Sequence, residues 1–256
     1  LPVMKILPKL KDLSLLMPVA LLCCIGCSSV EKYDSSTPEG AYKIAEEYEA
    51  DERYEESVAK YSEVKNKHPY SRFAVMSELK IADVQFKREA FIEAQFAYQT
   101  FKDLHPKHPQ IDYVTFRLGL SYFNQLPSTT DRDLSLADKA ILYFDEVLTS
   151  YGQSSYAAEA RAKKADALKM LAEKELYIAN FYMMKKQYDS ALGRFEGLLK
   201  TYSGTGVEPA ALYGAAVAAN ASGEREKISR YVRTLLKQYP ESSEADKARS
   251  EFSHVR

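Results

Sequence analysis

Small, aromatic and aliphatic positions return along this chain at fixed distances ahead of a series of turn-like segments. His68-Pro69-Tyr70-Ser71, His105-Pro106, Tyr151-Gly152-Gln153-Ser154, Tyr202-Ser203-Gly204-Thr205 and Tyr239-Pro240-Glu241-Ser242 each close an amphipathic helical stretch. Their first residues are spaced 37, 46, 51 and 37 apart. With the second residue of each turn as the reference, Tyr61, Tyr98, Phe144, Phe195 and Val232 stand eight residues earlier. Ser57, Ala94, Ala140, Ala191 and Ile228 stand twelve earlier, and Val64, Phe101, Val147, Leu198 and Leu235 five earlier. Ala45, Ala82, Ala179 and Ala216 stand twenty-four earlier. Two antiparallel helices approach closely only where a side chain is small, and an aromatic on the neighbouring turn fills the space beside it. A fixed period of this size predicts stacked helical hairpins, each burying its apolar face against the next.

The order of small, aromatic, alanine, aromatic and proline positions is that of a tetratricopeptide repeat (TPR). The expected fold is therefore an all-α superhelical solenoid of about five helix pairs. In the third interval, Gly119 and Tyr122 take the first-helix positions. Its nine extra residues fall around Leu126-Pro127-Ser128-Thr129-Thr130-Asp131-Arg132-Asp133, a loop by composition. The fourth interval has no such loop. Ala157 to Lys186 is free of Gly and Pro and rich in Ala, Lys, Leu and Glu, which predicts one unusually long helix. The first helix starts at Thr37-Pro38-Glu39, with Thr37 capping and Pro38 at the first helical position. Proline is expected to stop the second helices, because it lacks an amide donor. The repeats are placed at about 37–71, 72–108, 109–154, 155–205 and 206–242, followed by a C-terminal helix, so that 37–256 forms one repeat domain.

The chain ahead of the repeats reads as an address. Lys5, Lys9 and Lys11 precede a fourteen-residue apolar run, Leu13 to Gly26, broken by Pro18. It is short of the roughly 20 residues of a spanning helix and has the size of a secretory signal's apolar region. Ile25-Gly26-Cys27-Ser28-Ser29 resembles a bacterial lipobox. That resemblance implies cleavage between Gly26 and Cys27 and acylation of Cys27. The alternative is an ordinary cleaved signal followed by an incidental thiol. Residues 1–26 are then a lipoprotein signal and 27–36 a short polar tether. Each buried CH₂ contributes about 0.8 kcal/mol, so several acyl chains together hold firmly.

Composition narrows the chemistry. Thirty-five Lys and Arg against 36 Asp and Glu leave no cationic surplus for nucleic acid. All three cysteines lie at Cys23, Cys24 and Cys27, which excludes a disulfide framework or a Cys-ligated zinc site in the repeats. Gly204-Thr205-Gly206 lacks the rest of a phosphate-binding loop, and no Gly-x-Ser-x-Gly elbow occurs. His105-x-x-His108 is the one histidine pair worth weighing as a metal site. Both residues precede prolines and no third ligand type accompanies them, so no metal and no cofactor are expected beyond the lipid on Cys27. The acids Glu46, Glu47, Glu49, Asp51, Glu52, Glu55 and Glu56 read as a solvated face, and an enzyme is not expected. Residues 39–63 carry nine acids against three bases, and residues 157–200 nine bases against six acids. Such poles either orient a docking partner or merely keep the two ends soluble.

Several segments are more specific than the repeat. These are His108-Pro109-Gln110-Ile111-Asp112-Tyr113-Val114 leading to Gly119-Leu120, then Asp131-Arg132-Asp133, then Ser154-Ser155-Tyr156. The last is Glu175-x-x-x-Ala179-x-Phe181-Tyr182 running to Tyr188, Ala191 and Arg194. In them the chain resembles the BamD family of outer-membrane protein assembly lipoproteins, and repeat packing alone does not demand the Ile111–Val114 stretch. The resemblance implies a non-enzymatic scaffold on the periplasmic face of the outer membrane. Its implied partners are a BamA-like barrel protein, other Bam lipoproteins and nascent outer-membrane proteins. By position, Arg194 and the second helix of the fourth repeat face the BamA-like partner, or else Arg194 makes an ion pair between repeats. The resemblance also implies a pocket for client or accessory segments in repeats one and two, in which Tyr42 and Tyr48 are either lining or core. The competing reading is another envelope TPR adaptor, serving cell division or polysaccharide export.

Overall fold

The computed structural model describes residues 32–253, and among them eleven α-helices follow one another without a strand. Helices α1 (Pro38–Ala50) and α2 (Tyr54–Lys67) form the first pair, α3 (Arg72–Lys87) and α4 (Phe91–Leu104) the second, and α5 (Ile111–Phe123) and α6 (Ser135–Ser150) the third. The fourth joins α7 (Ala157–Met184) to α8 (Tyr188–Thr201), the fifth α9 (Glu208–Ser222) to α10 (Arg225–Gln238), and α11 (Ser243–Glu251) closes the stack. Every helix packs on the next. Across pairs, α1 touches α3, α5 touches α7, α7 touches α9 and α9 touches α11, whereas second helices do not meet one another in this way. The first helices therefore line the tighter, inner face of a TPR superhelix.

The aligned positions explain this stacking. Ser57, Ala94, Ala140 and Ala191 are fully buried beside Tyr61, Tyr98, Phe144 and Phe195, which are equally inaccessible. Ala45, Ala82, Ala179 and Ala216 are also sealed. The third pair has Gly119 at that place, and a Cβ there would lie 2.8 Å from the Phe144 ring. In the fifth pair Gly214 meets Phe195 in the same manner, with a Cβ placed 2.4 Å from its Cζ. Burying each such aromatic contributes roughly 1.5–3 kcal/mol. The core is divided into four clusters along the stack. One gathers Tyr42 and Tyr61, one Tyr98 and Leu118, one Phe144 and Ala160, and the largest Phe195 and Leu235.

Helix boundaries show what sets them. Thr37 Oγ1 accepts from Gly40 N at 3.0 Å, and Ser71 and Ser242 cap α3 and α11 likewise. Second helices end on a residue with φ between −118 and −132°: His68, His105, Tyr151, Tyr202 and Tyr239. Pro follows His68, His105 and Tyr239, but Gly follows Tyr151 and Ser follows Tyr202. Proline is thus compatible with the ending and does not cause it. The long helix of the fourth pair stops at Met184, because Lys186 turns left-handed at φ 59°. Glu52 and Glu89 hold the same left-handed place in the first two pairs, and Gly223 in the fifth.

Candidate partner-binding grooves

Two grooves on this scaffold gather polar side chains from separate helices. The first opens between α3 and α5, whose side chains meet across it. It encloses about 550 Å³. At its base, Asp83 Oδ1 accepts from the hydroxyls of Tyr98 at 2.6 Å and Tyr113 at 2.7 Å. Burial lifts the Asp83 carboxyl above its usual range, while the two tyrosines and the charges of Arg117 and Lys80 pull the other way. Burial and the nearby carboxylate likewise raise both phenols. Arg117 Nε donates to the Tyr98 oxygen at 3.2 Å, and its guanidinium lies 3.6 Å from the centre of the Phe86 ring. No carboxylate comes within 4.0 Å of Arg117 among the described residues, so this cation is available to an anionic group entering the groove.

Glu49 forms the rim and departs from the expected solvated acidic face. Its carboxylate accepts from Tyr61 Oη and Lys80 Nζ, each at 3.2 Å, and stands 4.0 Å from Lys87. One member of the acidic run thereby fixes two lysines across α1 and α3. Tyr42 is core: it is 3% exposed and meets Tyr61 edge-on at 5.2 Å, and burial pushes its phenol up to about 12. Tyr48 is half-buried under the Arg53 guanidinium.

The second groove, about 510 Å³, runs along α8 beside α7 and is lined by Glu175, Tyr182, Ser190, Gly193, Arg194 and Gly197. Arg194 Nη1 donates to Glu175 Oε2 at 3.2 Å. The pair joins the two helices of one repeat, not two repeats. A Cβ at Gly193 or Gly197 would meet nothing within 4 Å. Glycine inside a helix costs roughly 1 kcal/mol relative to alanine, and neither position recovers that through packing. Tyr177, Phe181 and Met184 stand 53%, 43% and 73% exposed at one-face spacing on α7, on the side turned away from Glu175 and Tyr182.

Other singled-out residues have structural partners. His105 Nε2 lies 2.6 Å from Glu78 Oε2, and the Phe101 ring sits between His105 and His108. The described residues contain no group of three potential metal-ligating side chains. The Gly204, Thr205 and Gly206 amides all donate to the buried Glu208 carboxylate, which occupies the loop from within. The Ile111–Val114 stretch does serve packing after all. Asp112 accepts from Ser154 Oγ at 2.7 Å, Tyr113 reaches Asp83, and Val114 is fully buried. Gly26 and Cys27 lie outside the described residues.

The fold and its two grooves define a tetratricopeptide-repeat scaffold. The chain belongs to the YfiO family, described as outer membrane lipoprotein, whose profile matches residues 34–231. It is 29% identical over 206 residues to the outer membrane protein assembly factor BamD of Neisseria meningitidis serogroup A, covering 75% of this chain and 77% of that one. Against BamD of Vibrio cholerae it is 25% identical over 207 residues, covering 77% and 85%. Among solved structures, the TPR2AB domain of yeast Sti1 in its pHSP90 complex is 13% identical. It covers 87% of this chain and 88% of its own, with a TM-score of 0.43. The repeat assignment rests on the packing described above.

Proposed function

We propose that this protein is a non-enzymatic scaffold of outer-membrane β-barrel assembly, held by a lipid on Cys27 at the periplasmic face of the outer membrane. The reading is supported by the family match over residues 34–231 and by relatives named assembly factors across most of their length. The observation that carries its mechanism is the α8 strip at Gly193 and Gly197, where none of the described residues fills the space beside the Arg194–Glu175 pair. A folded domain of a BamA-like barrel protein docks its backbone against that strip, with Tyr182 of α7 supplying apolar area beside it. The α3–α5 groove takes client or accessory segments, with Arg117 receiving a carboxylate and Phe86 and Tyr113 an apolar side chain.

Two experiments test this. The tagged full chain, purified in mild detergent, should retain a BamA-like barrel, and its depletion should lower folded porins while soluble periplasmic proteins stay normal. Normal porins after full depletion would transfer the protein to another envelope adaptor role. For the anchor, Cys27→Ser should abolish acyl labelling and release the protein from membranes.

A further inference from the structure

A third groove lies on the opposite, outer side of the first two repeats, away from both sites above. Helices α2 and α4 stand apart there, and α3 forms the floor with Ile81 and Glu78. The opening holds about 200 Å³ and its wall is Phe96, Ala97, Phe101 and Leu104 of α4. Along that helix Ile92, Phe96 and Leu104 fall on one row, four and eight residues apart, and are 68%, 74% and 62% exposed. Thr100 is the one polar residue on this row, where a surface helix with an ordinary solvated face would be polar throughout.

Charge says what kind of segment fits. Lys65 of α2 lines the groove, and no carboxylate lies within 4.0 Å of its ammonium among the described residues. The nearest acid along its own helix, Glu63, is held by Lys60 and Lys67. The groove's own carboxylate, Glu78, is turned to the His105 ring at 2.6 Å. The result is an apolar slot with one cation lacking a counter-charge at its edge. We propose that this outer groove binds a protein segment that inserts a leucine-like or aromatic side chain between Phe96 and Leu104 and sets an acidic side chain on Lys65. The site is independent of the family reading, since neither groove assigned above contributes a residue to it.

The test uses the folded full-length chain carrying Cys27→Ser and a fluorescein-labelled helical dodecapeptide. The peptide has two leucines four residues apart, flanked by glutamates; a control peptide has lysines in their place. Fluorescence anisotropy should show the glutamate peptide binding at least tenfold more tightly than the control. Phe96→Ser should weaken it about tenfold without lowering the melting temperature, because the side chain is mostly exposed. Lys65→Glu should invert the preference between the two peptides. Equal binding of both peptides, or binding indifferent to Phe96→Ser and Lys65→Glu, would overturn the proposal. So would concentration-dependent dimers, or binding to anionic phospholipid vesicles, that Phe96→Ser abolishes, since the occupant would then be a second copy or a lipid surface.

Discussion

Gly119 and Phe144 share one space: a Cβ on Gly119 would lie 2.8 Å from Cε1 of the ring and 2.9 Å from Cδ1. The other pairs place alanine where the third has glycine, and here the ring occupies the space that alanine's Cβ would take. Phe144 is fully buried and has no free direction in which to retreat. Gly119→Ala should therefore destabilise the protein by about 1–3 kcal/mol despite its higher helix propensity. Urea unfolding measures it, and a Phe144→Leu change added to Gly119→Ala should recover part of the loss.

The same substitution one repeat later has the opposite sign. Gly193→Ala and Gly197→Ala enter open space, so each should raise stability by up to about 1 kcal/mol. If the strip is a docking face, the same changes lower the amount of BamA-like barrel that copurifies. Greater stability with unchanged copurification would remove the strip from the interface.

Asp83 links the α3–α5 groove to pH. Its folded pKa lies above the unfolded value, so the native state holds the proton more tightly. The stability this provides is present below the unfolded pKa and is lost as pH rises through the folded one. Asp83→Asn keeps the carbonyl acceptor for a tyrosine and removes the titration. The variant should gain on the wild type as pH climbs from the ordinary aspartate value upward, in paired denaturant titrations at several pH values. A difference constant with pH would contradict the assignment.

Lys186 occupies the left-handed turn that Gly223 fills in the next pair, at φ 59° against 79°. A side chain there costs roughly 1–2 kcal/mol, which glycine avoids at some expense in unfolded-state entropy. Lys186→Gly should raise the unfolding midpoint, by an amount equivalent to about 0.5–1 kcal/mol.

The repeat register was legible because Tyr61, Tyr98, Phe144 and Phe195 each do one local job, facing a small residue on the preceding helix. That requirement returns at every pair and so leaves a period in the sequence. The α3–α5 groove leaves none. Asp83, Tyr98 and Arg117 come from three different helices, and only stacking brings them together. Glu49 departs from the solvated face for a related reason: its neighbours in the chain are solvated acids, but Lys80 and Tyr61 cover it from other helices. The Ile111–Val114 stretch looked surplus to packing because its partners Asp83 and Ser154 lie 30 and 42 residues away. Gly193 and Gly197 did carry a signal. Two glycines inside a helix-length run, with no proline or turn residue beside them, mark a face kept clear for something else.

The separation of the core into four clusters has a mechanical consequence. Phe195 and Tyr61 belong to separate clusters with the Tyr98 and Phe144 groups between them, so each end of the stack buries most of its apolar area locally. Heat or a damaging substitution should loosen one end while the other stays ordered. The protein can thus keep one handhold firm while the other lets go.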